Sequence, residues 1–169
     1  VRGRLRAILN ASPIIAFFEE LESPGTLLLL KKLGYDLQVP QAVRDEIVKE
    51  PSASLLSRYM SEGEISCLPS PNPRKVEEFR VSHPALGAGE SEVILNALDA
   101  RPREEVVCVL DEGPPRSVAQ ALDIPVTGTV GVLNLLRDAN LITEAEDRDI
   151  RQRLLASSFR IGRSILRRR

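Results

Sequence analysis

The sequence predicts an α/β protein, a three-layer α/β/α sandwich around a central, mostly parallel sheet of about four or five strands. Three observations carry this expectation. Residues 105–110 (EVVCVL) form a continuous apolar run, the pattern of a strand at the centre of a parallel sheet. Short apolar runs alternate along the chain with stretches of helical periodicity, as in repeated strand–helix–strand units. Pro, Gly or Ser stands at most junctions between the two, where an element must stop. At 169 residues, 43% of them hydrophobic and 28% charged, the chain can bury one core without disulfides or metals as staples.

Taken in order, residues 5–9 (LRAIL) read as a buried strand ending at Asn10-Ala11-Ser12-Pro13. Ser12 is the expected N-cap and Pro13 the first position of a helix over 14–21. Ser23-Pro24-Gly25 breaks it. Thr26 caps a second helix that reaches Lys32, and Gly34 ends it. Residues 36–39 (DLQV) are a second strand, stopped by Pro40. Residues 40–49 are helical, with Val43 and Ile47 on one face and Glu46 at its edge. Pro51 ends that helix and Ser52 caps the next, over 53–60. Residues 64–68 (EISCL) are a third strand, followed by a Pro-rich loop over 69–73 and a short helix over 75–79.

Gly87-Ala88-Gly89 leads into a helix over 90–100, where Val93, Ile94, Ala97 and Leu98 make one apolar stripe. Glu90 in its first turn complements the helix dipole. The strand over 105–110 runs out at Asp111 and Glu112. A helix over 116–122, a short strand over 124–127 and a helix over 130–140 follow, the last opened by Gly128-Thr129. Residues 1–142 therefore make the α/β domain. Residues 143–169 add helices packed on it, over 144–156 and 162–167, with an Arg-rich end.

Net charge is −1, unevenly distributed. Residues 150–169 hold seven arginines and no acid, which leaves 16 basic against 24 acidic residues in the rest. A basic tail on an acidic body suits phosphate or an acidic partner, or is simply the solvated end of a helix. Aromatic content of 4% disfavours base stacking as the main mode of nucleic-acid contact and favours arginine on phosphate. The apolar runs are too short to span a bilayer, and VRGRLRAILNAS lacks the apolar core of a signal peptide, so the cytoplasm is the expected compartment. Cys67 and Cys108 lie in strand-like runs without metal spacing and read as reduced, buried thiols.

Acidic or amide side chains occupy four strand ends or helix starts: Asn10, Glu46, Glu90, and Asp111 with Glu112. Oxygen donors gathered in one crevice suit Mg²⁺, which can polarise a phosphodiester and acidify a bound water. The bland alternative is that these acids only cap helices. Gly87-Ala88-Gly89 is a poor dinucleotide loop, because no strand precedes it and Val93-Ile94 stand where the third glycine belongs. His83, the only histidine, precedes Pro84 in a loop with no nucleophile beside it.

LNASPIIAF, VPQAVRDEIV, LGAGESEVILNAL and LDEGPPRSVAQALDIPVTGTVGVLNLL, in that order, resemble the PIN-domain superfamily. More narrowly they look like the prokaryotic branch related to VapC-type toxin ribonucleases. The resemblance covers residues 5–142, runs onward through Phe159-Arg160-Ile161, and implies a Mg²⁺- or Mn²⁺-dependent ribonuclease, a homodimer, RNA as substrate and a small antitoxin partner. It carries the family's acidic ring onto Asn10, Glu46, Glu90 and Asp111, with Glu112 as an extra acid. Catalytic roles fall to Glu46, Glu90 and Asp111, and substrate contacts to Ser12, Arg116, Thr127 and Thr129. The family has an aspartate where this chain has Asn10, which brings no charge and takes no proton. The resemblance therefore implies either a nuclease with a weakened metal site or a degenerate member that binds RNA or protein without cutting.

Overall fold

The computed structural model describes residues 4–111 and 113–157. Glu112 and the expected helix over 162–167, with five of the seven tail arginines, lie outside the described residues. The sheet has five parallel strands: β1 Leu5–Leu9, β2 Tyr35–Pro40, β3 Ser66–Leu68, β4 Glu105–Val109 and β5 Val126–Thr127, in the order β3-β2-β1-β4-β5. The central strand is therefore β1, whose Ala7, Ile8 and Leu9 are fully buried. The apolar run expected at the centre is its neighbour, paired Leu5 to Glu105 through Leu9 to Val109.

Helices flank the sheet, giving the expected α/β/α layers. They are α1 Ala11–Ile15, which continues as a π-turn over Ala16–Glu20; α2 Pro24–Leu28, which tightens into 3₁₀ over Leu29–Leu33; α3 Gln41–Glu46; α4 Ser52–Ser61; α5 Pro73–Ser82; α6 Ala88–Ala100; α7 Pro114–Ala121; α8 Thr129–Asp138; and α9 Glu144–Ala156. Helix α6 packs across β1, β2 and β4. Helices α8 and α9 pack on the segment between β1 and β2, and Ile150 and Leu154 of α9 join the same core. Arg153 donates to the Leu21 carbonyl at 2.9 Å and pairs with Asp149, while Arg151 pairs with Asp147. These two arginines are thus already engaged within the chain. No helix among the described residues is long and apolar enough to cross a membrane.

Several local expectations shift for physical reasons. Asn10, not Ser12, holds the N-cap position of α1, and Pro13 sits inside the first turn, where its missing N–H has no partner to lose. Helix α2 begins at Pro24, so Thr26 lies buried inside it. Gly34 does close that segment, at φ +94°, where a side chain would be strained. Helix α3 stops at Glu46, three residues early, because Ile47 leaves helical geometry to turn into the core. Helix α5 is longer than expected, with Asn72 capping the Arg74 N–H at 2.9 Å. His83 ends it, its ring tilted on Phe79 at 4.4 Å. Both cysteines are free, but only Cys108 is buried as expected, which pushes its thiol up to about 12, while Cys67 is half-buried.

Candidate functional site

The strand order reverses direction between β1 and β4: the chain builds β2 and β3 on one side, then β4 and β5 on the other. In open parallel sheets the crevice at the carboxyl ends of such a pair is where ligands bind. Asn10 and Asp111 follow these two strands. Asp111 Oδ1 accepts the Thr129 backbone N–H at 2.8 Å. Its Oδ2 accepts the hydroxyls of Thr129 at 3.0 Å and Ser12 at 3.2 Å. The carboxylate thus stands at the N-terminus of α8, where backbone N–H groups and the helix dipole favour an anion. Arg116 reaches back from α7 to donate to the Leu110 carbonyl at 3.2 Å.

Gly128 makes this packing feasible. A Cβ there would lie 2.8 Å from Asp111 Oδ1, 3.1 Å from Arg116 Nη1 and 3.2 Å from the Leu110 carbonyl. Burial raises the Asp111 carboxyl above its ordinary value, and the hydrogen bonds from Thr129 and Ser12 and the Arg116 charge offset this only in part. Asn10 lies beside this group, its N–H donating to the Val109 carbonyl at 3.1 Å. The residue is 7% exposed and its Oδ1 has no hydrogen-bond partner. A buried polar atom left so costs about 1–3 kcal/mol, which marks Oδ1 as an acceptor with unused capacity.

A second group forms where α3 ends against the start of α6. Glu46, the last residue of α3, accepts the Gly89 N–H at 3.0 Å. Glu90 Oε2 accepts the Gly87 N–H at 3.1 Å. Both carboxylates therefore use orphan donors of the α6 N-terminus. Gly89 leaves room for the first: a Cβ would stand 2.6 Å and 2.8 Å from the two Glu46 oxygens. Burial raises the Glu46 carboxyl, the Gly89 N–H opposes the rise, and the charges of Glu90 and Glu92 add to it.

Glu92 is the residue that sequence reasoning missed. It is 5% exposed and accepts the Ala42 N–H at 3.2 Å, which caps the start of α3. Ser70 Oγ lies 3.1 Å and 3.0 Å from its two oxygens. Helix α6 thereby holds α3 at both ends, through Glu92 at Ala42 and through Gly89 at Glu46. The signal was a charge on the stripe that carries Gly89 and Val93, both buried; a charge on that face needs partners.

The expected site residues are thus gathered as two groups: Asn10, Ser12, Asp111, Arg116 and Thr129 at the switch point, and Glu46 with Glu90 at the α6 N-terminus. Among the described residues no three Asp, Glu, His or Cys side chains form a group that could hold a metal ion alone. Thr127 ends β5 half-buried, its Oγ1 turned against the Gly131 Cα, and makes no hydrogen bond to Asp111. Glu112 is outside the described residues.

No curated protein matches the chain. A family model described as a PIN domain matches residues 6–169, which takes in every strand and helix above but for the first residue of β1. With nearly the whole length covered, the chain belongs to the PIN-domain family.

Proposed function

We propose that this PIN domain is a metal-dependent ribonuclease that hydrolyses RNA phosphodiester bonds with Mg²⁺ or Mn²⁺. The fold is of the nuclease type, and PIN domains generally bind RNA and use divalent metals. The observation that carries the reading is the pair at the switch point: a buried Asn10 carbonyl oxygen without a donor, beside an Asp111 carboxylate held in one orientation by three hydrogen bonds. These are hard oxygen donors, and they fit a hard divalent cation that keeps much of its water. Asn10 and Asp111 would hold it, with Glu46 and Glu90 joining directly or through water, and Glu112 as an added acid.

When bound, the cation supplies charge for the phosphate oxygens and a more acidic water. The chain's own residues supply the rest. Ser12 and Thr129 fix the Asp111 carboxylate, so no reorganisation is needed as charge develops. Arg116 holds phosphate oxygens from the α7 side. Glu46, whose carboxyl is raised above its ordinary value, is the group placed to take a proton from water. The likeness to VapC-type toxins extends the reading to a cytoplasmic homodimer paired with a small antitoxin.

Asn10 favours a second reading, a PIN protein that binds RNA or a protein partner without cleavage. One less charge weakens both cation binding and water activation. The test is cleavage of a mixed labelled RNA pool in Mg²⁺, Mn²⁺ or EDTA by the natural protein, Asp111→Asn and Asn10→Asp. The first reading expects cutting that needs metal and Asp111. Cutting by Asn10→Asp alone selects the second.

A further inference from the structure

We propose that the groove between α5 and the start of α6 is a nucleobase subsite, which takes a guanine of single-stranded RNA on the free lone pairs of Glu92. It rests on RNA as the ligand in the reading above, but on other residues. The groove encloses about 690 Å³, walled by Val76 and Arg80 of α5 and by Pro71 and Pro84, with Leu86 and Glu92 below. That lies within the about 300–1,000 Å³ of ligand pockets, which pair apolar walls with a few placed polar groups.

Glu92 gives the groove its selectivity. A buried carboxylate offers about four lone-pair sites, and only two donors, the Ala42 N–H and the Ser70 hydroxyl, reach this one. Among the described residues it has no ion-pair partner. With the Ser70 proton on Oε2, each oxygen keeps one site. Guanine presents N1–H and N2–H side by side, a pair of donors that matches two parallel acceptors. Adenine and cytosine present one amino group on that edge, and uracil one imino N–H between two carbonyls that a carboxylate repels.

The groove is also within a nucleotide's reach of the candidate site. Glu92 is one turn of α6, about 5 Å of rise, from the Gly89 N–H that holds Glu46. Arg80 at the rim has no ion-pair partner among the described residues and can meet a backbone phosphate. Unpaired bases splayed into pockets are the usual way single-stranded RNA is read.

The test is fluorescence anisotropy with labelled heptamers of uridine carrying a central G, A, C or U, in EDTA so that nothing is cut. The natural protein is expected to bind the G heptamer about tenfold or more tightly than the others, the scale of one bidentate base contact. Val76→Trp, on a helix with no buried residue, fills the groove and should remove the preference. Glu92→Gln should remove it as well, while Asp111→Asn keeps it. Equal binding of all four heptamers by the natural protein, or a preference that survives Val76→Trp, overturns the proposal. Preference without cleavage in Mg²⁺ keeps it and sinks the nuclease reading, whereas cleavage without preference does the reverse.

Discussion

Asp111 and Glu46 are carboxylates of one candidate site, and burial favours the protonated form of both, yet they are held in opposite ways. Asp111 receives three hydrogen bonds from Ser12 and Thr129, one of them from the first N–H of a ten-residue helix. Glu46 is exposed as a residue, with only its carboxyl partly desolvated against α6, and receives one, at the end of a six-residue helix whose place is set by α6. The difference follows from the elements beneath. The sheet side is fixed by strand register, and β1 and β4 cannot slide without turning their buried residues outward. The helix side is fixed by α6 contacts at its two ends, and a side chain there can swing. The switch-point half is pre-organised, and the α6 half is adjustable.

The largest test of this contrast is Asp111→Asn. Cleavage should fall by about 10²–10³-fold, the scale of removing one pre-organised electrostatic group. Stability should not fall with it. The amide oxygen still accepts the Thr129 N–H, and the Ser12 and Thr129 hydroxyls can turn to accept from the new amide. The variant also removes a desolvated charge, so its melting temperature should be equal or higher. A variant that melts well below the natural protein but cuts normally would reduce Asp111 to a cap for α8.

Two glycines put the same probe into each half. Gly89→Ala sets a methyl 2.6 Å from Glu46 Oε1, and that exposed side chain can move away. Unfolding free energy should change by under about 1 kcal/mol, since alanine suits a helix better than glycine. Cleavage should still fall by about 10–100-fold, as expected for a misplaced group. Gly128→Ala meets neighbours that cannot yield: the Leu110 backbone carbonyl and the bonded Asp111 and Arg116. Its φ of −130° tolerates any residue, so the cost is steric, about 1–3 kcal/mol of overpacking. Urea unfolding beside an RNA cleavage assay separates the two. Equal losses of stability would erase the distinction between a fixed and an adjustable half.

The same contrast governs what was readable in the sequence. Although β1, not the apolar run over 105–110, proved central and Thr129 was placed at the site only by the family resemblance, the strands, their parallel direction and the strand end at Asp111 announce themselves through apolar runs. Ser12 did not. Its hydroxyl looks like a local cap because caps are local, and its actual partner is 99 residues away. Asn10, its neighbour, takes the cap position instead. Glu92 was hidden by the more exposed Glu90, two positions before it and on the far side of α6. Its worth depends on Ala42 and Ser70, which only the packed fold brings to it. The two-group arrangement of the acids was equally out of reach, because side-chain convergence between separate helices leaves no trace in spacing.

The smallest expected effect is a slope with pH. Unfolded carboxyls titrate near about 4, and burial sets Asp111 and Glu46 above that in the metal-free fold. As pH falls from neutral through the raised values, the native state takes up protons before the unfolded state does. Stability then rises toward acid, with one proton giving at most about 1.4 kcal/mol per pH unit, and levels once both states are protonated. Asp111→Asn should flatten this slope by removing one of the two groups. Added Mg²⁺ should reverse it, since a cation favours the charged forms and its binding falls as they protonate. Urea unfolding from pH 7 to pH 4, in EDTA and in Mg²⁺, reads both signs. A metal-free natural protein that instead loses stability as pH approaches 4, with that loss diminished in Asp111→Asn, would mean that the hydrogen bonds from Thr129 and Ser12 outweigh burial at Asp111, and that the switch-point half is not set up by burial for a cation.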